Sequence, residues 1–438
     1  MDYEACLDFL RTFNGKIASR ENNRHLKVMD DLMAHFNIDY HNMDIVQIAG
    51  SCGKGSTAVF ISAILTEAGI PHGLFTGPHL IRYEERFAIN GAPIGADEFA
   101  DIVTDIARGS AAIDMTDVGH KHLMTLIAFL WFKKHRIKLV VYENGAGGAA
   151  DPSNVFTPIV ACLTEITLDH KELLGPTIEA ITRDKSAIIK PGTRAVVCGM
   201  RNETARAFLA DLEGRVQKRF SMIDRNYFYD VEHERMRYKS RRLVLSGIQP
   251  GLIGEHQRQN AANALRVIEA LIDSGYPISE FDMRCGVRQA YIPGRLEKCQ
   301  LNRTTLILDG AHNPLELKIL KEALEDLAFD PTVILISFAS RKNINEMLAA
   351  LAMPSAHYIV VPSPFAERRQ TRETVEAAFR SQALSFAYSE NLADAWQEVL
   401  GFCGLGRGLL VTGSLYLVGA VKALMADNVC AGSRPNGD

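Results

Sequence analysis

An α/β architecture in two parts is what this sequence predicts, and three observations carry it. Short apolar runs alternate with segments of helical spacing, a glycine-rich turn joins one such run to the next helix, and the alternation restarts after a Pro-Gly pair. In the first part, runs at 45–49, 138–143, 158–163 and 194–198 read as buried strands. Segments 56–69, 120–135, 177–189 and 256–274 read as helices. This rhythm signals a mostly parallel sheet with helices on both faces. Residues 219–249 interrupt it: Tyr227 to Val231 and Arg241 to Ser246 read as strands of an antiparallel hairpin or meander. A second alternation follows Tyr291-Ile292-Pro293-Gly294-Arg295, with strands at 304–308, 333–337, 357–361 and 408–412 and helices at 314–327, 343–352, 371–381, 390–401 and 414–425. The Pro-Gly pair is a natural hinge. The expected organisation is therefore an N-terminal domain over 1–294, a smaller Rossmann-like α/β domain over 295–426, and a disordered tail of small polar residues over 427–438.

At 438 residues the chain exceeds what one core comfortably holds. Its 47% hydrophobic and 23% charged content is that of an ordinary soluble protein. The net charge of −4 arises from 48 basic and 52 acidic residues spread along the chain, so no nucleic-acid footprint is visible. The longest apolar run, Leu123 to Phe132 with Thr125 inside it, is too short for a bilayer and predicts a buried helix. The acidic start Met1-Asp2-Tyr3-Glu4 does not read as a signal peptide. Eight cysteines without CxxC spacing read as buried free thiols. A cytoplasmic protein without membrane or nucleic-acid partners is the expectation.

The turn Gly50-Ser51-Cys52-Gly53-Lys54-Gly55-Ser56-Thr57 lies between the first strand and the helix after it. Backbone N–H groups and the helix N-terminus there converge on one spot and make an anion site. Lys54 adds a mobile positive charge, and Ser56 or Thr57 a hydroxyl able to reach magnesium. Gly55 separates Gly53-Lys54 from the hydroxyls, where the common spelling has Ser or Thr directly after Gly-Lys. A plain turn would need neither the lysine nor two hydroxyls, and the spacing does not match a dinucleotide-binding turn. The turn predicts a phosphate loop.

Four further clusters stand at strand ends or just beyond, where open α/β sheets hold ligands. They are Leu74 to Leu80 with Arg82, Glu84, Glu85 and Arg86 behind; Glu143 to Gly148; Leu168 to Gly175 with Lys185 beyond; and Leu308 to Pro314. Singly, each has a structural reading: Glu143 caps a loop, His170 lies at the surface, Asp309 starts a turn, and Lys185 is solvated. Together with a phosphate loop, a carboxylate and an imidazole suit a magnesium ion bound to phosphates.

These residues carry a resemblance. The blocks GSCGKGST at 50–57, LFTGPHL at 74–80, RYEERFAINGAPI at 82–94, ENGAGG at 143–148 and LDHKELLG at 168–175 run in order. DKSAIIKPG at 184–192, GEHQRQNAANA at 254–264, PGRLE at 293–297, LDGAHNP at 308–314 and VTGSLYLVG at 411–419 continue them. The chain resembles the folylpolyglutamate synthase and dihydrofolate synthase family, relatives of the Mur ligases. The resemblance implies an ATP-dependent carboxylate–amine ligase: ATP phosphorylates a carboxylate, and the amine of glutamate displaces phosphate to leave an amide. It implies that Gly50, Gly53, Lys54, Gly55, Ser56, Thr57, Asn260, Arg295 and Asp309 bind ATP, and that Ser56, Glu143 and His170 hold Mg2+. Lys54, Lys185, Arg295 and His312 are the implied catalytic set, with Lys185 carbamylated. Thr76, Pro78, His79 and Asp151 are implied to face the acid, and the second domain to take the amino acid. Closure of two domains around the acyl phosphate would exclude water. A monomer is expected.

Departures from the family pattern cluster near the substrate. Gly77 stands where serine is usual, Cys52 where asparagine is, and Ala149 where an arginine is. Arg341-Lys342-Asn343 replaces an aspartate-lysine-aspartate motif. A folate-type acid with glutamate is the leading pair. The alternatives are the same chemistry on another acid or amino acid, and a nucleotide binder without ligase activity.

Overall fold

Strand β1 (Asp44–Ala49) is the middle of the first sheet, and its sequence explains why. Ile45, Val46, Ile48 and Ala49 are all fully covered, the near-continuous apolar run of a parallel strand packed on both faces. Around it lie β2 (His72–Phe75), β3 (Phe87–Ile89), β4 (Ala92–Pro93), β5 (Leu139–Glu143), β6 (Val160–Leu163), β7 (Ala195–Cys198) and β8 (Phe220–Met222). Their order is β4-β3-β2-β5-β1-β6-β7-β8. Pairing is parallel from β2 through β8, with β3 and β4 added antiparallel at one edge. In this computed structural model the described chain omits residues 17–20, 302, 341, 365–368, 404–407 and 432–438, and the side chains of 427–431.

The Leu123–Phe132 run forms most of helix His120–Lys134, whose Leu123, Leu126, Phe129 and Phe132 are completely buried. Helix Ala96–Gly109 packs beside it, with Phe99, Val103 and Ile106 inward; its period was legible but not singled out from sequence. The same holds for Glu203–Val216.

Residues 219–249 correct one expectation. They hold a three-stranded antiparallel sheet, β9 (Tyr227–Glu232), β10 (Arg235–Ser240) and β11 (Val244–Ile248), and Arg241 and Arg242 lie in a turn rather than a strand. The missed strand reads Arg-Met-Arg-Tyr-Lys-Ser. Its charges mask a period of two in which only Met236 and Tyr238 are buried.

The second sheet contains β12 (Glu297–Leu301), β13 (Thr304–Leu308), β14 (Pro331–Ile336), β15 (His357–Val360), β16 (Phe386–Tyr388) and β17 (Gly408–Thr412). Its order is β12-β13-β17-β14-β15-β16, parallel except for β12 against β13. Helix Leu415–Ala431 runs past the expected end at 425 and takes up the start of the predicted tail; the rest of that tail lies outside the described residues. The chain divides into two compact units. One comprises Met1–His79, Tyr83–Gly251 and His256–Tyr291; the other comprises Leu80–Arg82, Leu252–Glu255 and Ile292–Asp438. The two short excursions into the second unit have no signature in the sequence. In that unit Leu80 lies against Gly419, where even a methyl would meet the Leu80 carbonyl at 2.1 Å. Among the described residues, no helix is long and apolar enough to cross a membrane.

Candidate functional site

From β1 the chain passes to β2 on one side and later to β6 on the other, so the sheet reverses order beside β1. The crevice beyond the carboxyl ends of β5, β1 and β6 is where such sheets bind ligands. Parallel register sets Ile48 beside Glu143 and Ala49 beside Leu163, which brings three loops together.

The phosphate loop spans β1 and helix Lys54–Glu67, which starts two residues earlier than expected, so Lys54 and Gly55 form its first turn. Gly53 is its N-cap at φ +83°, and a side chain there would come within 2.3 Å of Asn260 Oδ1. Only glycine satisfies both conditions. A side chain at Gly50 would meet Thr164 Oγ1 at 1.9 Å. The loop is tied to the strand next door: the N–H groups of Ser51 and Cys52 donate to the Glu165 carbonyl (2.8 and 3.2 Å), and Thr164 Oγ1 donates to the Cys52 carbonyl (2.7 Å). Cys52 thus serves as a turn residue.

Two lysines converge on this loop. Lys54 Nζ donates to the carbonyls of Gly50 (2.9 Å) and Ser51 (3.1 Å). Lys185, on helix Ile178–Ser186 and 2% exposed, donates to the same Gly50 carbonyl (2.9 Å) and to that of Ala146 (2.6 Å). Burial, reinforced by the Lys54 charge, lowers the Lys185 pKa to about 7, against the opposing pull of Asp184 and Asp169. The glycines of 145–148 make this contact possible. A side chain on Gly148 would sit 2.4 Å from the Asp184 carbonyl, so the loop can lie flat on the lysine-bearing helix only without one. Gly148 N–H also donates to Asp184 Oδ1 (2.7 Å).

Glu143 ends β5 and is 6% exposed. Its Oε2 accepts from Gly77 N–H (3.0 Å) and lies 3.2 Å from where a Gly55 side chain would begin. Buried Ser56 follows Gly55, and the Thr57 hydroxyl is buried without a hydrogen-bond partner. Among the described residues, no three His, Cys, Asp or Glu side chains gather to hold a metal. Magnesium on a nucleotide does not need such a cage: one or two protein oxygens with phosphates and waters suffice, and Ser56 and Glu143 fit that demand. His170 stands in another setting, at φ +49° as the residue capping the start of the short helix Lys171–Leu174, its ring about half exposed and its Nε2 3.6 Å from Asp169 Oδ2.

The residues expected at the substrate divide. Asp151 is 4% exposed and braces its own loop, accepting from Gly145 N–H (2.7 Å), Ser153 N–H (3.0 Å) and Ser153 Oγ (2.6 Å). Thr76 N–H donates to the Arg86 carbonyl (3.0 Å), and Pro78 is exposed after a cis Gly77–Pro78 bond. His79 Nδ1 accepts from Arg86 Nε (2.8 Å); burial, then the Arg86 and His120 charges, lower its pKa to about 3. A side chain at Gly77 would begin 2.8 Å from an Arg86 terminal nitrogen, so the missing serine side chain and the approach of Arg86 are one feature. Ala149, in place of an arginine, has its N–H on the Asp184 carbonyl (2.9 Å) and its carbonyl 2.9 Å from His25 Nε2.

Two basic residues here escaped the sequence reading, His120 and Lys121, while Arg86 was named in the first cluster without a role. Lys121 Nζ lies 4.5 Å from the Phe75 ring centre and 5.2 Å from that of Tyr142. One signal was present, a lysine opening an apolar helix at the end where the helix dipole disfavours cations.

In the second unit, Asp309 follows β13 and is buried. Its Oδ2 accepts from Leu296 N–H and its Oδ1 from Ala311 N–H, both at 2.9 Å. Burial raises its pKa while Arg295 opposes the rise. His312 Nδ1 lies 2.9 Å from the Gly310 carbonyl and 3.1 Å from Glu316 Oε2. Of the departing motif, Arg341 is outside the described residues, while Asn343 caps helix Ile344–Leu351 by accepting from Glu346 N–H (3.3 Å).

Known proteins give the same picture. Residues 48–268 match the Mur ligase middle domain and residues 294–424 the C-terminal domain of dihydrofolate synthetase. Dihydrofolate synthase/folylpolyglutamate synthase of Bacillus subtilis is 30% identical over 404 residues, covering 90% of this chain and 93% of that one. Folylpolyglutamate synthase of Lacticaseibacillus casei is 29% identical over 394 residues, covering 86% and 89%. Among solved structures, Thermotoga maritima folylpolyglutamate synthase superposes with a TM-score of 0.83 at 27% identity, covering 97% of this chain and 98% of that one. The apo L. casei enzyme gives 0.84 at 25%, covering 97% and 100%. The chain belongs to the folylpolyglutamate synthase and dihydrofolate synthase family of Mur-type ligases.

Proposed function

We propose that this protein is an ATP-dependent ligase that joins glutamate to a folate-type acid, dihydropteroate or a folate, through an acyl phosphate. One observation carries the chemistry: Lys54, Lys185 and Glu143 meet around a single phosphate loop, two of them through one carbonyl. A protein that only stores nucleotide has no use for the second, buried lysine. The relatives named above supply the substrate class.

In this reading the loop N–H groups and Lys54 hold the phosphates, and Asn260 borders the nucleotide. Ser56 and Glu143 hold Mg2+, which neutralises charge on the phosphoryl group in flight; His170 is the further ligand implied by the family. The substrate carboxylate attacks the γ-phosphorus, and the bond to ADP breaks with its electron pair leaving on ADP. The glutamate amine then attacks the carbonyl carbon, loses a proton, and phosphate departs. A lysine amine needs to be uncharged to take up CO2, and a pKa near 7 supports carbamylation of Lys185. Arg295, Asp309 and His312 are assigned to the nucleotide and transfer steps. Thr76, Pro78 and His79 are assigned to the acid, and Asp151 is assigned to it through the loop it braces. We assign 1–294 to ATP, 295–426 to the amino acid, and the protein to the cytoplasm as a monomer without nucleic-acid or membrane partners. A net charge of −4 and seven described cysteines that are all free support the last assignment.

A second reading keeps the chemistry and changes the acid, and Gly77 with its neighbour Arg86 favours it. The test is ADP release with ATP and Mg2+, supplying glutamate or other amino acids against dihydropteroate, a reduced folate and a panel of aromatic and aliphatic acids. Mass spectrometry identifies the amide. Turnover requiring both a pterin acid and glutamate is expected; turnover with another pair only transfers the assignment to the second reading. ADP release that ignores acid and amine overturns both.

A further inference from the structure

Lys121 has no role in the assignments above, yet its position is costly. It lies in the first turn of helix His120–Lys134, where the dipole opposes a cation, and it is packed over the rings of Phe75 and Tyr142. The one hydrogen bond of its ammonium among the described residues is a long donation to the Glu143 carbonyl (3.4 Å), and no carboxylate of those residues comes within 4.0 Å of that nitrogen. The carboxylates whose charge it feels, Asp151 and Glu143, have other engagements: Asp151 with Gly145 and Ser153, Glu143 with Gly77. Further positive charge surrounds it. Arg86 and Lys54 both act on Lys121, while His79 and His120 are held uncharged at neutral pH, with pKa values of about 3 and about 4 set by burial and the nearby cations.

A carboxylate must approach an ATP phosphate that repels it. A part-buried ammonium beside the phosphate loop, lacking a carboxylate partner of its own, is the group that removes this repulsion. We propose that Lys121, supported by Arg86, binds the reacting carboxylate of the acid substrate and presents it to the phosphate loop, so that the favoured ligand at this point is an anionic carboxylate at the ammonium that the Phe75 and Tyr142 rings hold in place. Burial lowers the Lys121 pKa, Asp151 and Glu143 oppose the fall, and an arriving carboxylate opposes it further; the carboxylate oxygen attacks phosphorus, ADP leaves with the bond pair, and the ammonium passes from the carboxylate to the acyl phosphate oxygen. The inference rests on the acid-ligase reading.

The test is calorimetric binding, with a non-hydrolysable ATP analogue and Mg2+ present and no turnover. Dihydropteroate and a panel of monocarboxylic acids are each compared with their own carboxamide. The wild type is expected to prefer acid over amide by about tenfold or more, the worth of one charge-assisted hydrogen bond. Lys121→Met should lose that preference while binding the amide and the ATP analogue as the wild type does; Lys121→Arg should keep most of it. An undiminished preference in Lys121→Met overturns the inference and leaves the ligase reading standing. Loss in both variants together with weakened ATP-analogue binding also overturns it, since the loop itself has then been disturbed. Failure of every acid to bind the wild type, with the ATP analogue bound, removes the acid-ligase reading and this inference with it.

Discussion

Lys185 is the residue whose environment speaks most directly to chemistry. Its folded pKa of about 7 lies far below the ordinary 10.5, so between these values the unfolded chain carries a proton that the folded one does not. Stability therefore rises with pH across that window, by up to about 1.4 kcal/mol per pH unit. In CO2-free buffer, denaturant titrations should show wild-type stability relative to Lys185→Met climbing from about pH 7 to pH 10, while a flat difference would mean the lysine stays charged when folded. Gly77 offers a second prediction at this scale. Serine there would push on the far end of a flexible arginine, so Gly77→Ser should keep its melting temperature within about 2 °C. Restoring the hydroxyl should lower the Mg2+ concentration needed for half-maximal ADP release; an unchanged titration would show that position 77 does not contact the metal.

Among elements, helix Glu280–Gln289 crosses helix Lys54–Glu67 so closely that a methyl on Gly286 would lie 2.4 Å from the Ile64 Cα atom. Backbone cannot step aside as a side-chain tip can. Gly286→Ala should cost about 1–3 kcal/mol in urea denaturation. Because the pressed helix is the one that presents Lys54, the substitution should also weaken ATP binding. Wild-type stability in this variant would mean the helices are spaced more widely than described. The same contrast between pattern and placement explains what was legible. Strands β1, β5, β6 and β7 were readable because central parallel strands are apolar throughout, whereas β10, half buried and charged on its other face, was not.

At the scale of the whole molecule, nucleotide binding and stability are linked. A ligand held only by the folded state adds about 2.7 kcal/mol when present at 100 times its Kd. An ATP analogue with Mg2+ should raise the unfolding midpoint of the first unit, and Lys54→Ala should abolish most of that rise together with ADP formation. A full rise in the variant would remove Lys54 from the phosphate site. The charge balance of the chain predicts no comparable stabilisation by nucleic acid.

The sequence by itself determined the alternation of strand and helix and the phosphate loop, since each is a matter of local spacing or of a turn that only certain residues can make; Glu143 and Lys185 were given their roles by the family resemblance, not by spacing. Tertiary structure decided which of these meet. Lys54 and Lys185 share the Gly50 carbonyl across more than a hundred residues of chain. Asp151 turned inward to brace a loop, Arg86 came up against Gly77, and Lys121 reached Glu143 and His120 came near His79 without any motif to announce them. Periodicity records which face of an element is buried. It does not record which distant side chain lies opposite, and the charges that shape this site come from that second kind of information.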